Sequence, residues 1–422
     1  MKTVKMKQKL FGSLLFCLGI CLGIVLMYTH QSSTSKDTEP SKQEERLEEK
    51  QASMLPSWSK EAVYVGDDKV VYEGRIYRAK WWTQGELPGS ADVWEETREA
   101  SPSQTTQKEA NASLSKRPLD TGETKLVGYF PAWKSNQTQY IRYDVLTDII
   151  YAFAIPTAEG NLRPLENPAT ATEIIADAHK KEVRVLLGVG GWSYQDTPLE
   201  STFMAATSTR EKLHSFADAI VTMCNTYGFD GIDMDWEHPR VDGSSATQYE
   251  EFMLYLGEQL HAQGKLLTCA VFSGATADGN IYYDAAAHSD AVLNMVDRIH
   301  VMAYDGGDGK RHATLAFAKA SASYWKDTRK VLKEKIILGV PFYARPTWAS
   351  YGELIQSNTN AAAHDHILYN GMEVYYNGQS TMKEKASYAK DALGGIMIWE
   401  ITQDTQDENT SLLEVIGQTL KE

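Results

Sequence analysis

The chain has 422 residues, 42% apolar and 23% charged, a balance that fits one large soluble domain with a sizeable core plus accessory segments. Its formal net charge of −14 argues against nucleic acid as a partner, because phosphate binding needs a basic surface; an uncharged polysaccharide is indifferent to that sign. Four cysteines in so long a chain exclude a disulfide framework, and no Cys/His spacing resembles a zinc site.

The N-terminus begins with Lys2, Lys5, Lys7 and Lys9, followed by an almost unbroken apolar run from Leu10 to Tyr28 that contains Cys17 and Cys21. This is an export signal, long enough to span a bilayer, with its basic flank kept inside. No small-x-small cleavage site follows, so residues 1–30 are expected to act as a retained anchor in preference to a cleaved signal. Membrane contact is expected only through this segment, with the rest of the chain outside. Residues 31–52 are rich in Ser, Thr, Lys and Glu and read as a tether; residues 97–123 form a second one.

Between the tethers lies a small unit, residues 53–96, built of short β-branched and aromatic runs: Val63 to Val65, Lys69 to Tyr72 and Arg75 to Trp82. Gly66-Asp67-Asp68 and Glu73-Gly74 supply turns. Alternation along the last strand separates Trp81 from Trp82, so at least one indole must face solvent. An exposed indole on so small a scaffold suits stacking on a pyranose ring.

Residues 124–422 alternate apolar runs with helical segments, the signature of a parallel sheet wrapped by helices. Strands are expected at Leu126 to Phe130, Asp148 to Ala154, Val183 to Gly188, Gly231 to Trp236, Leu266 to Phe272, Arg298 to Tyr304, Ile336 to Pro341 and Gly395 to Trp399. Helices are expected at Ala171 to Lys180, Thr209 to Tyr227, Thr247 to Gln263, Leu315 to Lys333 and Thr381 to Leu393. Eight such units fit an α/β (β/α)8 TIM barrel. A doubly wound open sheet is the weaker alternative, because Tyr129-Phe-Pro-Ala-Trp133 stands where a glycine-rich nucleotide turn belongs.

The strongest chemical signal is Asp230-Gly-Ile-Asp233-Met-Asp235-Trp-Glu237. On a strand, Asp233, Asp235 and Glu237 share one face, about 6.6 Å apart in succession. Crowded carboxylates resist joint ionisation, so at least one pKa should rise, as a general acid requires. The outermost, Glu237, sits at the C-terminal mouth where barrel enzymes keep their sites and is expected to hold that proton. A calcium loop would need polar intervening residues and a central glycine, whereas Ile232, Met234 and Trp236 intervene here. A purely structural acid cluster without a basic partner in the segment would be costly. His238 should point away from the acids by alternation. His300, Cys224 and Cys269 read as core, and His364 and His366 do not form a metal site.

The acidic segment resembles the Asp-x-x-Asp-x-Asp-x-Glu signature of the family 18 glycoside hydrolases, and the likeness runs from Lys125 to Glu422. Gly188-Val-Gly-Gly191 is similar to that family's Ser-x-Gly-Gly, with Gly188 in place of Ser. Met302-Ala-Tyr304-Asp305, Gly339-Val-Pro-Phe-Tyr343-Ala-Arg345 and Gly394-Gly-Ile-Met-Ile-Trp399-Glu resemble its later strand ends. The run Tyr77 to Gly89, closed by Trp94, resembles small bacterial chitin-binding modules, with Trp81 and Trp82 as the binding aromatics and Trp58 and Trp94 as structural ones.

The resemblance implies a chitinase using substrate-assisted, retaining catalysis, without metal or cofactor. Glu237 would be the acid, Asp235 would orient the substrate acetamido group, Asp233 would share a proton with Asp235, and Tyr304 would bind the acetamido carbonyl. Asp305, Trp399, Tyr129, Met302, Tyr343 and Arg345 would line the sugar site. Only about 50 residues separate Pro341 from the strand-eight glycines, which leaves little room for a cleft-deepening insertion and suits internal cleavage by a monomer. Two other functions compete: an endo-β-N-acetylglucosaminidase acting on glycoproteins, and a non-catalytic glycan binder, which retention of Glu237 opposes.

Overall fold

The computed structural model describes residues 58–97, apart from 61, 67, 73 and 74, and residues 124–422, apart from 244 and 308. The export run, the first tether, and the second tether from residue 98 lie outside the described residues, as do the turn residues Asp67, Glu73 and Gly74. The chain divides into two compact units, 1–117 and 118–422, each with its own core.

In the first unit, Lys69–Tyr72, Arg75–Ala79 and Trp94–Glu96 form an antiparallel three-stranded sheet, and Val63–Tyr64 pairs with Thr83–Gln84. One face of the sheet buries Val70, Tyr77, Ala79 and Trp94 with Tyr64 and Val93. Trp94 is fixed at both ends: its ring meets Tyr64 edge-on at 5.2 Å and its Nε1–H donates to the Glu86 carbonyl at 2.7 Å. Trp58 packs edge-on against Tyr72 at 5.4 Å, so both expected structural tryptophans are structural. The expected strand to Trp82 instead stops at Ala79. Strict alternation therefore no longer applies, and Trp81 and Trp82 are both exposed, at 55% and 60%.

The second unit is a closed barrel of eight parallel strands. Its strands are Lys125–Pro131, Asp148–Ala154, Arg184–Gly191, Gly231–Trp236, Leu266–Val271, Arg298–Val301, Ile336–Pro341 and Gly395–Trp399. The eighth closes onto the first through Gly395 opposite Lys125. These runs are legible because both faces are covered; all seven residues of Asp148–Ala154 are buried, and after Asp148 the run is continuously apolar. Leu186, Ile150, Val127 and Met397 fill the barrel interior, while Val185, Leu187, Ile232 and Ile396 join the outer core under the helices.

At the N-terminal end, the first residues of three strands meet inside the barrel. The Asp148 carboxylate accepts two hydrogen bonds from Arg298, at 2.9 and 3.1 Å, and lies 2.9 Å from Arg184 Nε. Burial alone would raise this acid, yet the two guanidiniums hold it far below the usual carboxylate range. This end of a barrel serves stability.

Local signals set the element ending just before the acidic strand. Helix Arg210–Tyr227 is capped by the Thr209 hydroxyl, which accepts from the Lys212 N–H, and stops at Gly228 in the left-handed conformation at φ 82°. One expected helix is shorter than its sequence suggested: Leu315–Ser323 is α-helical, but Tyr324–Thr328 widens into a π turn. There Trp325 is buried and donates through Nε1 to the Phe272 carbonyl at 2.9 Å, a tertiary contact that outweighs local helix preference. Between strands seven and eight, the added β structure is the two-stranded hairpin His366–Tyr369 and Met372–Tyr375. Cys224 and Cys269 are buried, and burial pushes their thiols up to about 11 and about 12.

Candidate active site

Strand four is held in register by its own preceding acid. The Asp230 carboxylate accepts the Val185 N–H of strand three at 2.7 Å and lies 2.9 Å from His179 Nε2. The first acid of the sequence motif is thus a staple, and the next two point inward. Strand three must approach closely for this. Gly190 has φ +113°, and a Cβ there would lie 2.3 Å from the Asp235 carbonyl oxygen. At Gly188, a Cβ would touch Phe153 at 3.0 Å; an aromatic edge fills the space where a longer side chain would stand.

Asp233 is completely buried and is satisfied from three other strands. Thr268 donates to its Oδ1 at 2.5 Å, Tyr129 donates to its Oδ2, and His300 Nδ1 lies 2.9 Å from Oδ1. Burial opposes ionisation, but His300 and the Thr268 and Tyr129 hydrogen bonds outweigh it and hold the carboxyl below its ordinary value. His300 is core, as expected, and also supplies the basic partner absent from the acidic segment.

Asp235 is the opposite case. It is 5% exposed, and its Oδ1 has no hydrogen-bond partner within the protein. Burial, then Glu237, then Asp233 push its carboxyl well above the usual range. The clearly raised carboxyl of the row is therefore Asp235. The physical reason is position: Asp235 is buried with a negative neighbour on either side along the strand, while Glu237 lies past the last strand residue, Trp236. His238 is likewise corrected. Beyond the pleat, alternation fails, and its Nε2 comes within 3.2 Å of Glu237 Oε2 while its ring stacks on Phe272 at 3.8 Å.

Asp235 and Glu237 open into a cleft of about 710 Å³. Tyr129, Asp235, Glu237, Met302, Tyr304, Asp305, Tyr343 and Trp399 all line it. Trp399 lies nearly parallel to Phe153 at 5.8 Å and meets Tyr129 edge-on at 5.4 Å. Burial, reinforced by Asp235 and Glu237, raises the Tyr304 phenol well above its ordinary value, so it remains a donor. Asp305 accepts a hydrogen bond from the Tyr343 hydroxyl at 2.7 Å, and His312 Nδ1 and Arg345 Nε approach at 3.2 and 3.6 Å. These partners outweigh burial and hold Asp305 low. The Arg345 guanidinium in turn stacks 3.7 Å over Trp348, so Arg345 supports Asp305 from behind and is not among the cleft-lining residues.

The sequence patterns gave no site role to Thr268, His300, His312, Trp192 or Trp348. Trp192 had a signal available, since it directly follows the Gly-Gly pair on strand three. It is 57% exposed, with Trp133 at 51% and Trp348 at 58%, and all three line the cleft.

Residues 125–404 match the family model for glycosyl hydrolases family 18. The chain belongs to that family. Residues 57–95 match carbohydrate-binding module family 5/12. Similar proteins include Chitinase B of Serratia marcescens, 25% identical over 380 residues that take in 65% of this chain and 74% of that protein. Chitotriosidase-1 of Mus musculus is 26% identical over 352 residues, covering 66% and 73% respectively. Among solved structures, the GH18 chitinase ChiB from the chitin utilization locus of Flavobacterium johnsoniae is 28% identical. It superimposes with a TM-score of 0.61 over 71% of this chain and 94% of that one. Family 18 membership makes the chain a glycoside hydrolase with a barrel catalytic domain, and the separate match makes the small β-rich unit a carbohydrate-binding module.

Proposed function

We propose that this hydrolase is a chitinase that cleaves internal β-1,4 linkages between N-acetylglucosamine units with the help of the substrate's own acetamido group. The observation that carries the reading is the pairing of a proton-holding, buried Asp235 with Glu237 in an aromatic cleft. An ordinary retaining hydrolase uses a second carboxylate as nucleophile. Asp235 is the carboxyl next to Glu237, and a group that holds its proton is a poor nucleophile. An acetamido oxygen on the reacting sugar supplies what the protein lacks.

On this reading, Glu237 protonates the glycosidic oxygen while the acetamido oxygen attacks the anomeric carbon. The bond to the leaving sugar breaks, and a cyclic oxazolinium ion forms. Asp235 receives the acetamido N–H at its unpartnered Oδ1, Asp233 shares the proton of the pair, and Tyr304 donates to the acetamido carbonyl oxygen. Trp399 is the floor under the ring; Tyr129 and Met302 wall it, and Asp305, held by Tyr343 and Arg345, binds its polar edge. Glu237 then takes a proton from a water whose oxygen bonds to the anomeric carbon as the bond to the acetamido oxygen breaks, so the acetamido group is restored and the anomeric configuration is retained. Chitinase B, named above, carries a chitinase name, which agrees with this substrate.

Trp81 and Trp82, both outward, stack on the polymer surface as the module's binding pair. The basic and apolar N-terminal run directs export and retains the chain at the cell surface. The short hairpin between strands seven and eight leaves the cleft accessible to the middle of a chain.

The test is Glu237→Gln on chitin oligosaccharides. Turnover should fall at least ~10²-fold, the scale of general-acid loss, with oligosaccharide binding retained. Undiminished turnover removes the mechanism. Parallel product analysis on colloidal chitin and on a glycoprotein with N-linked glycans separates the chitinase from an endo-β-N-acetylglucosaminidase, which would release glycans and leave chitin intact.

A further inference from the structure

Glu237 lies past the last residue of strand four, so the pleat no longer fixes its side chain and something else must. Among the described residues its carboxyl forms one ion pair, in which Oε2 lies 3.2 Å from His238 Nε2. Both side chains are only 16% exposed, so the contact escapes much of the screening that weakens pairs in open water. With Oε2 engaged, Oε1 is the oxygen left for the glycosidic bond.

The imidazole is itself held in place. Its ring stacks on Phe272 at 3.8 Å, and the Trp192 ring lies 6.3 Å away. Phe272 directly follows strand five and is fixed through backbone and ring: the Trp325 Nε1–H donates to its carbonyl at 2.9 Å, and Tyr282 packs on its ring at 4.7 Å. Other basic groups nearby are neutral or engaged elsewhere. His288, with its ring 6.3 Å from that of Phe272, is pushed down to about 3 by burial, then by His238 and Arg329, and so carries no charge to compete for the acid. Arg240, two residues beyond His238, is bound to Glu200 at 2.7 Å and lies 3.5 Å from Asp284.

Resting on the reading of Glu237 as acid and then base toward N-acetylglucosamine polymers, we propose that His238 is a positioning residue whose Nε2–H holds the Glu237 carboxylate between the two proton transfers. In that interval Glu237 has given its proton to the leaving sugar and stands ionised beside Asp235. An N–H facing an ionised carboxylate makes a charge-assisted contact; an apolar ring of the same size makes none. His238 is not among the residues lining the cleft, so it acts through Glu237 and not on the sugar. It fixes which carboxyl oxygen meets the incoming water and keeps the other occupied.

The experiment compares the full chain with His238→Phe, which keeps a stacking ring but no nitrogen, and with His238→Gln, which loses the ring but keeps an N–H at similar reach. Hydrolysis of the N-acetylglucosamine hexasaccharide is measured, and the unfolding midpoint shows that each variant is folded. In His238→Phe, kcat should fall about 10-fold with KM unchanged, the scale of a hydrogen bond to a charged group, and His238→Gln should recover to within about 3-fold of wild type. If His238→Phe does not fold, His238→Leu takes its place with the same expected loss. A ring that only packs on Phe272 gives the reverse order, with the Phe variant at the wild-type rate and the Gln variant impaired. That order overturns the proposal and leaves the cleft reading intact. A wild-type chain inert on the hexasaccharide overturns the cleft reading, and the role of His238 with it.

Discussion

Replacing Asp235 by Asn tests where the site keeps its proton. Asp235 is 5% exposed, and burial, Glu237 and Asp233 all raise its carboxyl. In the unfolded chain the same group titrates at about 3.9. Above that pH the unfolded chain has lost a proton that the folded chain keeps, so wild-type stability declines as pH rises toward the folded value. The slope is at most about 1.4 kcal/mol per pH unit, the cost of one proton difference. Asn has nearly the same shape and no proton to lose, so the variant escapes this decline. Between pH 5 and pH 7, Asp235→Asn should therefore gain up to about 2.7 kcal/mol on the wild type, or roughly 5 °C in the midpoint of a domain this large. The titration belongs to the coupled acids jointly, but only a raised Asp235 makes the Asn variant gain stability with pH. The assay is calorimetric unfolding of the barrel at pH 5, 6 and 7, alongside hydrolysis, which should fall about 10²-fold with loss of the acetamido-orienting group. A stability difference that stays flat across those pH values would refute the reasoning, because it would mean that Asp235 is ionised in the folded chain.

Three further outcomes follow from the structure. Asp148→Asn removes the carboxylate that faces the buried Arg298 and the half-buried Arg184 and should cost about 3–5 kcal/mol in urea unfolding without changing KM; a loss under about 1 kcal/mol would show that the cluster contributes little. Lys385 is fully buried, donates to the Ala313 carbonyl at 2.8 Å and to Asn377 Oδ1 at 2.7 Å, and burial lowers its pKa to about 7. The folded chain thus sheds this proton before the unfolded one does, so wild-type stability relative to Lys385→Met should climb from pH 7 toward pH 9, and parallel curves would contradict the burial effect. Replacing Trp81 and Trp82 together by Ala should release the chain from insoluble chitin while sparing cleavage of short soluble oligomers, and equal retention would reassign both indoles to packing.

The barrel was legible along the chain because each of its strands is covered on both faces. Such strands must be largely apolar, with any buried charge paired or at the site, and segments such as Asp148–Ala154 and Ile336–Pro341 begin and end where the sequence changes character. The acidic face of strand four was legible for a related reason, since a pleat brings every second residue to one side. Nothing local, however, indicated the charge state of that row. Asp233 is held ionised by Tyr129 of strand one, Thr268 of strand five and His300 of strand six, all remote in sequence. Only closure of the barrel brings them together. Alternation gave the wrong answer where regular strand stops, at His238, which meets Glu237; at Trp81 and Trp82 the expected solvent-facing indole is there, and the end of the strand at Ala79 exposes the second as well. Periodicity along the chain decides which residues form the walls and which side chains share a face. Burial and cross-strand partners decide which acid holds a proton, because electrostatic energy depends on distance and solvent access, and sequence order encodes neither.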